Sequence, residues 1–137
     1  MKLAHLSDAF AVSPQLEPND MRGLADAGFS TVICNRPDDE ESSQPTVASM
    51  REAAEAAGLA FHHIPVSGGE FPPVAIKAFA KVREEADGKV IAFCRTGTRS
   101  ITLDALANIE HESVAERINR ARIAGYDLSG LRDRLGE

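Results

Sequence analysis

Cys94 stands at the junction of an apolar run and a glycine–arginine segment, Cys94-Arg95-Thr96-Gly97-Thr98-Arg99-Ser100. A thiol reacts as its thiolate, which neighbouring cations and a helix N-terminus favour. Backbone N–H groups of a strand-to-helix loop converge toward one point, and the helix dipole adds positive potential there, so such a loop favours an anion. Gly97 permits the tight curvature. Arg99, at the start of the following helical run, can fork two hydrogen bonds onto a tetrahedral oxyanion. Arg95, Thr96, Gly97, Thr98 and Ser100 complete the candidate anion-binding loop. Ser100 is placed to donate to the thiolate or a departing group, and Arg95 to point outward as a docking charge. A thiolate among such donors is set for attack on phosphorus or sulfur. A buried structural cysteine flanked by surface arginines is the plainer account, and it leaves the Cys–Gly–Arg spacing unexplained.

Strand-like and helix-like runs alternate around this loop. Phe10 to Ser13 reads as a short edge strand closed by Pro14. Pro18 opens a helix carrying Met21 and Leu24 that stops at Gly28. Phe29 to Cys34 is a buried-strand signature, followed by Asn35-Arg36-Pro37 and a polar loop from Asp38 to Gln44. Pro45 opens a second helix, stopped by Gly58. Ala60 to Ile64 is a strand, Ser67 to Glu70 a loop, and Pro72-Pro73 leads a third helix ending near Gly88. Lys89 to Phe93 is the strand that delivers Cys94. Ser100 to Ile109 is helical, Ser113 to Glu116 matches a capping box, and Ser129 to Leu135 is a closing helix. Repeated strand–helix–strand units predict an α/β fold, a small mostly parallel sheet flanked by helices. Ligands on such sheets bind beyond the carboxyl ends of the strands. Cys34 to Arg36, Pro65 to Glu70 and Cys94 to Arg99 all fall there.

The chain of 137 residues is expected to form one domain, 1–137. A net charge of −6 argues against nonspecific nucleic-acid binding. No apolar run approaches the ~20 residues that span a bilayer. Polar residues interrupt any signal-like core near the N-terminus, so a cytoplasmic location without membrane contact is expected. Cys34 and Cys94 do not suggest a disulfide scaffold. Cys34 reads as a buried apolar cysteine, with a reversible link to Cys94 as the alternative. His62 and His63 point to opposite faces of a strand, which suits no shared metal, and neither a metal nor another cofactor is expected. Arg36 is a candidate supplement to the anion site, or an ion-pair partner of its neighbouring carboxylates.

The segments Gln15-Leu16, Thr31 to Pro37, His63 to Val66, Cys94 to Ser100 and Ala124 to Leu128 resemble the phosphatase-like domain of beta-lactamase-hydrolase-like proteins, within the cysteine-phosphatase superfamily. The resemblance implies a fold similar to dual-specificity and tyrosine phosphatases, with Cys94 as nucleophile and Arg99 as oxyanion binder. Related domains occur fused to metallo-hydrolase domains connected with sulfide metabolism, which implies a partner of that kind. The loop from Cys94 to Arg99 is one residue shorter than in tyrosine-type phosphatases and closer to rhodanese loops, which carry a persulfide. Phe93 stands where phosphatases usually have His. Family members place an acidic Asp after the Pro-Val strand end. Glu70 is the nearest substitute here, with Asp38, Asp39 and Glu40 as further candidates.

The function expected from these residues is hydrolysis of a small anionic phosphate ester through a Cys94 intermediate, with Glu70 as general acid. Sulfur transfer by a Cys94 persulfide, taken from a small sulfur donor, is the second expectation. A catalytically weak anion-binding regulatory module is the third.

Overall fold

The computed structural model describes residues 1–136. The β-branched and aromatic runs become strands β3 (Phe29–Cys34) and β5 (Lys89–Phe93), joined in a five-stranded sheet by β1 (Ala4–Ser7), β2 (Phe10–Ser13) and β4 (Ala60–His63). The spatial order is β1-β2-β5-β3-β4, with β1 antiparallel to β2 and every other neighbouring pair parallel. β5 is therefore the middle strand, and the residue that follows it leaves the sheet at the centre of its carboxyl edge.

Alternation along the central strands sends side chains to two separate cores, as the two-residue strand period requires. Phe10, Val12, Ile33, Val90 and Ala92 face helices α3 (Pro73–Glu85) and α4 (Thr98–Ala107), meeting Phe79, Ile101 and Leu103. Ala11, Val32, Ile91 and Phe93 face α1 (Met21–Asp26) and α2 (Val47–Ala56), meeting Met21, Leu24, Met50 and Ala54. α5 (Val114–Ile123) and α6 (Arg132–Leu135) extend the first layer through Ala121 and Leu135. Helices on both faces of a mostly parallel sheet match the predicted class. Among the described residues no helix is long and apolar enough to cross a membrane.

Three local expectations are corrected. Phe10–Ser13 is an interior strand, fully buried, because Ala4–Ser7 pairs outside it across the Asp8-Ala9 turn. The half-exposed Ala-His-Leu-Ser run and a turn without glycine leave little local signal for that outer strand. α2 begins at Val47, after Thr46, whose hydroxyl accepts the Ser49 N–H at 3.1 Å. α4 begins at Thr98, two residues before the predicted start, because Gly97 at φ 98° turns the chain directly into the helix. The Ser113–Glu116 capping box is formed, with Ser113 Oγ accepting the Glu116 N–H at 3.0 Å and Glu116 Oε1 accepting the Ser113 N–H at 2.8 Å.

Candidate active site

The middle strand delivers Cys94, no part of which is exposed, and the chain then turns through Arg95, Thr96 and Gly97 into α4. The Gly97 N–H donates to Cys94 Sγ at 3.1 Å. The turn through Arg95 and Thr96 brings that amide back over the strand end, and the positive φ of Gly97 then leads the chain into α4. The Thr96 hydroxyl accepts the Thr98 N–H at 3.3 Å and donates to Thr98 Oγ1 at 3.0 Å, bracing the outer side of the loop. Tyr126, arriving from beyond α5, donates its hydroxyl to the Thr96 carbonyl at 2.9 Å. It lies so close over Gly97 that a Cβ there would meet the phenol oxygen at 2.1 Å. Burial, and then the neighbouring Cys94 charge, push the Tyr126 phenol up.

Arg99 reaches back over the strand ends. Its Nη1 donates to Glu40 Oε2 at 2.8 Å and to the Val66 carbonyl at 3.0 Å, while Nη2 donates to Glu40 Oε1 at 2.9 Å. The Glu40 carboxylate first, and with it the Cys94 sulfur, hold the guanidinium charged against partial burial. Glu40 is in turn held below the usual carboxylate range, first by the Arg99 hydrogen bond and also by Arg36. Both Glu40 oxygens accept from arginine N–H groups, so this carboxylate is engaged as an ion-pair partner. Asp38, another candidate acid, accepts the Val47 N–H at 2.8 Å at the start of α2.

Arg36 does not join the anion loop. It is buried behind Glu40 and pairs with Glu40 and Glu41, the second of its two expected settings. Burial opposes its charge, but the bonds to Glu41 and Glu40 outweigh that and raise its pKa. Ser100 also departs from expectation. Its buried hydroxyl donates to Asn35 Oδ1 at 2.8 Å, and Asn35 Nδ2 donates to the Ile64 carbonyl at 2.8 Å, so its proton is committed to the β3–β4 strand ends rather than to Cys94. Arg95 is exposed, with Nε 3.4 Å from Glu41 Oε2. The Cys34 thiol donates to the Arg36 carbonyl at 3.4 Å, and burial pushes it up to about 11. Glu70 is exposed on the 67–70 turn and lines a cavity of about 370 Å³ with Pro37, Pro65, Val66 and Pro72. Among the described residues no three His, Cys, Asp or Glu side chains converge as metal ligands.

The structure thus brings Cys94, Gly97 and Arg99 together, keeps Glu70 on a neighbouring rim, and adds Glu40, Asn35, Gln15 and Tyr126. Glu40 carried a signal through its spacing from Arg36, and Gln15, Asn35 and Tyr126 only as members of the segments that carry the family resemblance. A run of Asn, Arg and carboxylates directly after a buried strand places charges at the sheet's carboxyl edge.

A cysteine after a central parallel strand, a tight loop, and an arginine opening the next helix, on this sheet, define a phosphatase-like domain with the fold of dual-specificity and tyrosine phosphatases. The chain belongs to the family described as beta-lactamase hydrolase-like protein, phosphatase-like domain, whose sequence model matches residues 2–111. A beta-lactamase hydrolase-like protein of Agrobacterium fabrum is 36% identical over 134 residues, which are 93% of this chain and 30% of that protein. The chain therefore spans under a third of that relative's length. A candidate phosphatase from Neisseria meningitidis Z2491 is 39% identical, with a TM-score of 0.86 over 98% of this chain and 96% of that one. Tk-PTP in its active form, 17% identical, shares the fold with a TM-score of 0.73 over 98% of this chain and 92% of its own.

Proposed function

We propose that this phosphatase-like domain hydrolyses a small phosphate ester through a cysteinyl-phosphate at Cys94. The observation that carries the reading is the Cys94 sulfur held at 3.1 Å from the Gly97 N–H at the head of α4, the helix whose first turn carries Arg99. These donors match the oxygens of a transferring phosphoryl group. The sulfur attacks phosphorus, an S–P bond forms as the P–O bond to the leaving group breaks, and Arg99 with the loop amides carries the spread negative charge. Glu70, exposed on the neighbouring rim, is the nominated proton donor to the leaving oxygen, since both Glu40 oxygens are taken up by Arg36 and Arg99. Water then cleaves the S–P bond and releases phosphate.

The experiment is hydrolysis of an aryl phosphate by wild type and Cys94→Ser, in reductant and chelator. Turnover lost in the variant supports the reading, and a wild type as inert as the variant overturns it. One observation favours a second reading. The short loop and the ionised state of Glu40 suit a step that needs no acid. In that step Cys94 takes the outer sulfur of thiosulfate, sulfite leaves, and the persulfide passes its sulfur to cyanide. Thiocyanate formed by wild type but not by Cys94→Ser would establish it.

A further inference from the structure

Arg36 is the largest fully buried side chain among the described residues, with 1% of its surface exposed, and its guanidinium bonds go to Glu40, Gln15 and Glu41. All three of its nitrogens are in use. Nε donates to Glu40 Oε1 at 2.8 Å, Nη1 to Gln15 Oε1 at 2.8 Å, and Nη2 to Glu41 Oε1 at 2.9 Å. The backbone around it is pinned as well, since its carbonyl meets the Cys34 thiol at 3.4 Å and His63 Nε2 at 3.0 Å. Gln15 completes the tie, because its own N–H donates to the Arg95 carbonyl at 3.2 Å. Each arginine of the Cys94 loop is therefore linked to Arg36 through one carboxylate, Arg99 by Glu40 and Arg95 by Glu41.

The donors of Arg99 show what this arrangement accomplishes. A guanidinium has five N–H groups. Glu40 and the Val66 carbonyl take both hydrogens of Nη1, and Glu40 takes one of Nη2. The remaining Nη2 hydrogen and Nε–H form the side edge, the pair suited to a two-pronged bond with an oxyanion. The contact with Glu40 thus fixes which edge of Arg99 is left for a ligand, and Glu40 can do this only if its own carboxylate is held still.

The geometry points to Arg36 as a positioning residue for the anion site, fixing Glu40 so that Glu40 presents the free edge of Arg99 to the substrate. The inference rests on the Cys94 loop binding an anion, as the proposed function requires. A lysine at position 36 keeps the charge but, with one nitrogen, cannot hold Glu40, Glu41 and Gln15 in a fixed fork.

The test is sulfate binding by the full chain carrying Cys94→Ser, followed by titration calorimetry at pH 7, so that turnover plays no part. Adding Arg36→Lys is expected to weaken sulfate about tenfold, the scale of a charge-assisted hydrogen bond. Whatever Glu40→Ala does by itself, Arg36→Lys added to that background should change affinity by less than about twofold, the reproducibility of additive effects. At a sulfate concentration that saturates the parent, exchange of the Arg99 Nε–Hε proton should slow in the parent and slow less in Arg36→Lys. An equal loss of affinity with and without Glu40 would overturn the proposal, showing that Arg36 acts by its charge or on the fold. Unchanged affinity in Arg36→Lys would overturn it too. If Arg36→Lys does not fold, Glu40→Asp serves, since it keeps the charge and shortens the reach. Weaker sulfate binding supports the inference, and parental affinity refutes it. Absence of sulfate binding in the parent would remove the anion-site reading itself, and this inference with it.

Discussion

Replacing Gly97 by alanine puts two separable strains on the loop that carries Cys94. Gly97 has φ 98° and ψ −14°, a region that a residue with a Cβ occupies at a cost of about 1–3 kcal/mol. The new Cβ would also lie 2.1 Å from the Tyr126 hydroxyl oxygen and 2.9 Å from its Cζ, so the ring must withdraw. Withdrawal breaks the bond from Tyr126 to the Thr96 carbonyl, worth about 1 kcal/mol. Together the two effects predict a destabilisation of about 2–4 kcal/mol. At about 3–4 °C per kcal/mol for a chain of this size, Tm should fall by about 6–16 °C in differential scanning calorimetry. Tyr126→Phe removes the hydroxyl in advance, so the double variant should be about 1 kcal/mol more stable than the two single losses added together. The remaining destabilisation is backbone strain, together with the crowding of Cζ. A Tm for Gly97→Ala within about 2 °C of wild type would refute this account, since that is the scale of a change near 0.5 kcal/mol. Strict additivity in the double variant would refute the role given to Tyr126.

Two further outcomes follow from the charges and thiols of the site. Because Arg99 and Arg36 lower the Glu40 pKa, the ionised form that orients Arg99 persists at ordinary pH and is lost only as pH falls through that depressed value. Sulfate, a dianion throughout, should bind Cys94→Ser with constant affinity from pH 8 to 5 and weaken below about 4.3, the ordinary glutamate value. A midpoint between pH 5 and 6 would contradict this. Cys34, pushed up to about 11 chiefly by burial, is almost entirely thiol at pH 7 and a slow partner for an oxidised Cys94. Mild peroxide should therefore carry Cys94 to the sulfinic acid without a Cys34–Cys94 bridge, and nonreducing peptide mapping that finds the bridge within minutes would show otherwise.

Legible from residue order were the strands Phe29–Cys34 and Lys89–Phe93, the glycine stops, the capping box at Ser113 and the position of Cys94 between strand and helix. These features rest on interactions within a few residues, such as apolar alternation, φ preferences and side-chain capping, and so they are written locally. The same locality hid β1, whose four residues gain strand character only from pairing with Phe10–Ser13. Tertiary structure alone decided that β5 lies in the middle of the sheet, which closes Cys94 from solvent. It also decided which partners Arg36, Arg99 and Ser100 take. Glu40 meets Arg99 from 59 positions away, Tyr126 meets Thr96 from 30, and Ser100 meets Asn35 from 65. A charged or hydroxyl side chain has several acceptable partners, and chain topology decides which comes within about 3 Å, the range in which a hydrogen bond forms.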